Sequence, residues 1–184
     1  MPDDQISAAS LAGLTILLAG GNQKHAETAD ELRRLDARLI TFPVIEEESH
    51  SAAFDEAIAN LYGYDWIIFK SVPAVECFLR RFLQLGHQVS DLDALRVCAI
   101  GKTTLQQLEE SHVHVDLCPE FASREIRKAL EEYLGGSLRG INFLIPKAAI
   151  TRDALSEILK EAGARVDQVA AFAARPRRHG RIFS

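Results

Sequence analysis

Four short stretches of this chain combine residue types that can hold or polarise a small molecule: Gly20-Gly21, Lys70-Ser71, Gly101-Lys102-Thr103-Thr104 and Pro146-Lys147. Three of them offer an ammonium or a hydroxyl at or near the expected start of a helix. Free N–H groups and the helix dipole favour negative charge there. Lys70, Ser71, Gly101, Thr103, Thr104 and Lys147 are therefore candidates for binding an anionic ligand. Small polar residues also cap helices with no ligand involved, and at any one position that reading stands beside the binding one.

Other chemistries find less support. Gly101-Lys102-Thr103 resembles the end of a phosphate-binding loop, but Arg96 stands where that motif needs its first glycine. Gly20-Gly21 lacks the spacing of a dinucleotide fingerprint. His112 and His114 would share one side of a strand, yet no third ligand accompanies them, and solvated histidines are the simpler reading. No Gly-x-Ser-x-Gly elbow is present. Cys77, Cys98 and Cys118 lie far apart with no CxxC pair, which argues against a zinc site or a redox dithiol. Cys77 and Cys98 sit in apolar surroundings and read as inert core residues.

The elements that must position these residues alternate between strand and helix. Apolar runs at 14–19, 38–42, 66–69, 96–100, 113–117, 141–145 and 165–172 read as strands. Helical spacing marks 24–35, 52–61 (capped by Ser51), 73–85, 103–110, 123–134 and 151–162. Val44 and Ile45 extend the second strand as a linker, and 46–50, with three consecutive glutamates, reads as a polar loop. The alternation predicts an α/β fold with a mainly parallel, doubly wound sheet. Continuously apolar strands such as 66–69 suit a sheet covered on both faces. Ligands of such sheets bind beyond the carboxyl ends of the strands, where the four stretches fall.

At 184 residues, 47% hydrophobic and 26% charged, the chain is long enough for one domain and a fraction, with a core that needs no staples. Its net charge is −5, and four of its 21 cations (Arg175, Arg177, Arg178 and Arg181) sit in an acid-free C-terminal stretch. The body is therefore acidic and unsuited to general nucleic-acid binding. No apolar run is long enough to span a bilayer. The first ten residues lack the basic and apolar regions of a secretory signal, so the cytoplasm is the expected location.

Four segments, in order, resemble the uroporphyrinogen-III synthase family. Residues 64–75, YDWIIFKSVPAV, are similar to the family's "yDwliFTSxnaV"; residues 97–104, VCAIGKTT, to "aaiGxxTa". Residues 143–155, FLIPKAAITRDAL, resemble "lLxPrgxxxrdxL", and 161–172, EAGARVDQVAAF, resemble the strand that returns to the interlobe linker. The likeness runs from about Leu14 to Pro176.

The resemblance implies closure of the linear tetrapyrrole hydroxymethylbilane to uroporphyrinogen III with inversion of the last ring and loss of water. It implies a cyclising lyase of tetrapyrrole (haem) biosynthesis that uses no metal and no organic cofactor. It also implies two α/β lobes joined by a two-stranded linker, with a many-carboxylate substrate between them. By position, Ser71 and Thr104 match cleft hydroxyls, Gly101 allows close backbone approach, and Lys147 follows the family's proline. Arg152 matches a basic residue opening the next helix. Phe172 stands where members usually have a tyrosine assigned to assist loss of the hydroxyl; a phenyl ring can donate neither a proton nor a hydrogen bond. Lys70 replaces a threonine, Pro73 takes a place often polar, and no arginine follows the first strand.

The domain organisation expected on this basis is a tail (1–13), a strand-helix-strand fragment of the first lobe with its linker (14–42), and a complete lobe (43–165). A returning linker strand (166–174) and a basic tail (175–184) follow. The fragment calls for self-association or a partner that completes the first lobe. The alternative reading is a shortened, non-catalytic module that holds an anionic tetrapyrrole or a protein.

Overall fold

The structure is a computed structural model and describes residues 10–19, 23–42, 44–48, 51–120, 124–149 and 154–176. The chain divides into two compact units, one of residues 1–46 with 174–184 and one of residues 47–173.

In the first unit, β1 (Thr15–Ala19), α1 (Gln23–Arg34) and β2 (Arg38–Phe42) form a βαβ crossover. The two strands pair in parallel from Thr15↔Arg38 to Ala19↔Phe42. Ala29 of α1 and Ala37 are buried, but the strand neighbours Leu17 and Ile40 are 65% and 50% exposed.

The larger sheet has the order β3-β7-β6-β4-β5. Its strands are β3 (Val44–Glu48), β4 (Trp66–Phe69), β5 (Arg96–Ala99), β6 (Asn142–Ala148) and β7 (Arg165–Pro176). The pairs β4–β5, β4–β6 and β6–β7 are all parallel. The intervening helices are α2 (Ala52–Ala59), α3 (Val72–Gln84), α4 (Lys102–Glu110), α5 (Arg124–Leu134) and α6 (Ala154–Glu161). Ser51 caps α2 as expected, its hydroxyl accepting from the Phe54 N–H at 3.2 Å.

Alternation along the strands sorts the core into two layers. Ile67, Phe69, Val97, Ala99 and Leu144 face α2, α3 and α4, and join Phe54, Ile58, Phe78, Phe82 and Leu108. Phe78 is the hub, with ring centroids 5.4 Å from Phe69, 5.5 Å from Phe82 and 6.0 Å from Phe54. Trp66, Ile68, Cys98, Phe143 and Ile145 face the other way, onto Ile126 and Leu130 of α5 and Leu155 and Leu159 of α6. Helices on both faces of a parallel sheet make the doubly wound fold that the strand pattern predicts.

Several local expectations change. Residues 113–117 lie along β5 but keep a single ladder pairing, Cys98↔Leu117. Asp116 is the reason: its carboxylate takes the Val97 N–H at 2.9 Å, where a regular strand would offer a main-chain carbonyl. His112 adopts a left-handed φ of 61°, so His112 and His114 are exposed around a turn and do not share a strand face. Residues 46–48, read as a loop, belong to β3, which lies at the edge of the sheet, where charged residues are tolerated. The strand expected at 141–145 runs on through Pro146 to Ala148, with a register shift between Lys147 and Ala148.

Candidate functional site

The connections define where a ligand can sit. From β4 the chain leaves through α3, which packs on the Phe78 layer, and reaches β5. From β6 it leaves through α6, which packs on the opposite layer, and reaches β7. Since β4 and β6 are neighbours, their connections depart in opposite directions and on opposite faces. That makes their carboxyl ends a topological switch point, where parallel sheets of this kind open a crevice. The ladder agrees: β4 and β6 pair only at Trp66↔Phe143 and Ile67↔Leu144, while β6 stays paired to β7 as far as Ala148. Pro146, with no N–H to donate, follows closely after the last β4–β6 pair.

Most of the predicted site residues meet at this end of the sheet. Lys70 and Ser71 follow β4 directly, and Lys147 lies near the end of β6, paired to Ala170. Gly101, Thr103 and Thr104 follow β5, which neighbours β4 on the other side, and the Ile100 N–H bonds the Phe69 carbonyl at 2.8 Å. Arg152 falls outside the described residues, as do Gly20 and Gly21.

Each position has a local cause. Ser71 is the N-cap of α3, its hydroxyl accepting from the Ala74 N–H at 3.4 Å, with Pro73 in the first turn. That bond uses one lone pair and leaves the O–H free to donate. Gly101 is the N-cap of α4 at φ +83° and ψ 151°, a conformation essentially confined to glycine. A Cβ there would meet only the Glu120 carbonyl, at 3.8 Å, so backbone conformation rather than crowding requires the glycine. Thr103 is exposed, whereas Thr104 is 2% exposed and its hydroxyl has no hydrogen-bond partner among the described residues. Phe172 is buried in the Phe78 layer, and its carbonyl accepts from the Ala149 N–H at 2.8 Å. Cys77 and Cys98 are buried, and burial pushes the Cys98 thiol up to about 12, which fits an inert residue. Among the described residues no three metal-ligating side chains cluster.

Two depressions lie elsewhere, at the amino ends of the strands. One of about 430 Å³ is lined by Glu56, Asn60, Tyr64 and Asp167, another of about 520 Å³ by Tyr62, Trp66, Asp93 and Arg96. The Tyr64 hydroxyl donates to Asp167 at 2.9 Å, and burial, helped by that carboxylate, pushes its pKa up to about 12. Asp116 accepts from Arg96 at 2.9 Å and from the Tyr133 hydroxyl at 3.0 Å, in addition to Val97. These contacts tie the sheet together at its amino end, away from the crevice. Sequence reading missed the Asp116 cluster because its members lie 20, 19 and 17 residues away along the chain.

The fold and the crevice together define a doubly wound α/β protein with a polar, lysine-bearing crevice at a switch point. The chain belongs to the uroporphyrinogen-III synthase family: the family model described as "Uroporphyrinogen-III synthase HemD" matches residues 26–181. The uroporphyrinogen-III synthase of Synechococcus elongatus is 30% identical over 169 residues, covering 90% of this chain and 62% of that protein. The Chlorobaculum parvum protein of the same name is 26% identical over 150 residues, covering 81% of this chain and 59% of that one. A crystal structure of mutant uroporphyrinogen III synthase from Thermus thermophilus shares the fold with a TM-score of 0.62 and 15% identity, over 88% of this chain and 63% of that one. The chain thus spans about three fifths of the length of these relatives. No helix among the described residues is long and apolar enough to cross a membrane.

Proposed function

We propose that this chain binds hydroxymethylbilane at the β4–β6 crevice and closes it to uroporphyrinogen III with loss of water. The observation that carries the reading is the content of the switch point. Lys70, Ser71 and Lys147 stand at the carboxyl ends of β4 and β6, α3 and α4 start at the same end of the sheet after β4 and β5, and neither helix has an acid in its first turn. Such a site suits a ligand with several carboxylates. In this reading the lysines hold carboxylates, and Ser71 and Thr104 donate hydrogen bonds that position the reacting end and stabilise the departing hydroxide. Gly101 lets the backbone approach the ligand. Arg152 joins the site on its sequence position alone. The cytoplasm, as the place of a biosynthetic step, belongs to the same proposal. So does self-association or a partner beside residues 14–42, an expectation supported by the exposed Leu17–Ile40 pair.

The test is a coupled assay that supplies freshly made hydroxymethylbilane and separates the porphyrin isomers. The expected result is isomer III in excess over isomer I, the product of spontaneous closure. A product ratio no different from the protein-free control would overturn the proposed activity.

A further inference from the structure

The described helices of the larger unit treat their positive ends in two ways. α2, α5 and α6 each place an acid in the first turn (Asp55, Glu125 and Glu157), as the helix dipole favours. α3 and α4, which start at the carboxyl ends of β4 and β5, place none. α4 departs furthest, because its first residue is Lys102, a cation at the positive end of the dipole. Lys102 is exposed and has no ion-pair partner among the described residues. Glu109 and Glu120 both act on the Cys118 thiol, as Lys102 does, but neither forms a salt bridge with the lysine. The cap residue Gly101 supplies no side-chain acceptor for the first amides of the helix. In that same turn Thr104 is buried with its hydroxyl unpaired among the described residues. A buried unpaired hydroxyl calls for an explanation, and a polar ligand seated at this turn supplies one.

We propose that Lys102 is a further ligand-binding residue of this site, whose ammonium pairs with a carboxylate seated at the α4 N-terminus, and that it holds this place at a cost to the stability of α4. The proposal rests on the anion-site reading above and deepens it. It assigns a role to Lys102, the one residue of the Gly101–Thr104 stretch that is not among the candidates read from the sequence. It also makes an unusual joint prediction: removing the charge strengthens the fold and weakens the ligand.

The experiment uses the full chain with Lys102→Gln and Lys102→Glu, and uroporphyrin I as a stable polycarboxylate probe. Lys128→Glu on α5 controls for net charge. Binding is titrated at low and moderate salt, and stability is read as the urea midpoint. The expected result is a higher urea midpoint for both Lys102 variants, with Kd raised about threefold in Lys102→Gln and about tenfold in Lys102→Glu. The salt dependence of binding should become shallower, and Lys128→Glu should leave Kd unchanged. An unchanged Kd in Lys102→Glu, while Ser71→Ala weakens binding, overturns the role of Lys102 and leaves the anion site standing. A lowered urea midpoint shows a structural lysine and overturns the proposal too. No binding of uroporphyrin I by the unaltered chain overturns both readings.

Discussion

The two sheets of this protein are built from the same local pattern and end up in different environments. In the larger sheet, the paired residues Ile67 and Val97 are 0% and 2% exposed, because α2, α3 and α4 cover one face while α5 and α6 cover the other. In the smaller sheet, Leu17 and Ile40 are an equally apolar pair in an equally parallel ladder, yet they are 65% and 50% exposed. On the opposite side, Ile16, Leu18 and Leu39 are half-buried. A parallel strand is ordinarily covered on both faces, and two strands alone give little independent stability. Hydrophobicity along a strand therefore states a requirement, and neighbouring elements decide whether it is met.

Substitutions test this contrast, and the largest effect is expected at the hub of the covered sheet. Phe78→Ala should destabilise the chain by about 3–5 kcal/mol, read from the urea midpoint, because it opens a cavity between Phe54, Phe69 and Phe82. At protein concentrations where the chain is monomeric, Leu17→Ala should change the midpoint by less than about 0.5 kcal/mol, since its side chain faces solvent in the single chain. A Leu17→Ala cost near that of Phe78→Ala would mean that the small sheet is covered in solution, and the contrast would fall.

A middling effect is expected at the amino end of the covered sheet, where Asp116 replaces a piece of ladder. Its side chain is 4% exposed and accepts from Val97, Arg96 and Tyr133. Burial alone would raise its pKa, but the Val97 amide, the Tyr133 hydroxyl and Arg96 together hold the carboxyl below its usual value of 3.8. Asp116→Ala leaves the Val97 N–H unpaired and should cost about 1–3 kcal/mol. The sign of the pH effect follows from the depressed pKa. The stabilisation is complete above the ordinary carboxylate range and is lost as pH falls through the folded value. Unfolding followed across acid pH should therefore show a shallower acid limb in Asp116→Asn than in the unaltered chain. Identical limbs would show that Asp116 is not what holds residues 113–117 against β5.

What could be read from the residues, and what could not, divides along the same line. Strand 66–69, the cap Ser51 and the placing of Lys70, Ser71, Gly101 and Lys147 at or just after strand ends were legible because each depends on local apolar runs and turn residues. The doubly wound class followed from the order of those elements. The irregular edge at 113–117 was not legible, since it depends on a carboxylate folding back onto a strand nineteen residues earlier. The edge position of β3 was hidden for a similar reason, because glutamates look like loop until the order of strands is known. Burial of Thr104 was equally beyond reach: spacing places a threonine in the first turn of α4 but cannot say that α3 packs beside it.

A smaller effect than at Asp116 is expected at Phe172, near the end of the covered sheet's β7. The resemblance placed a tyrosine there, but Phe172 is 6% exposed and packs in the same apolar layer as Phe69 and Val169. Phe172→Tyr would carry a hydroxyl into that layer and should cost about 1 kcal/mol, measured as a fall in the urea midpoint. With the ring held in the core, the added hydroxyl does not reach the reacting end of a ligand, and the isomer ratio in the coupled assay should not change. A rise in isomer III with no loss of stability would show that the ring tip opens onto the crevice. Position 172 would then belong with Ser71 and Thr104 in the site rather than with Phe78 in the core.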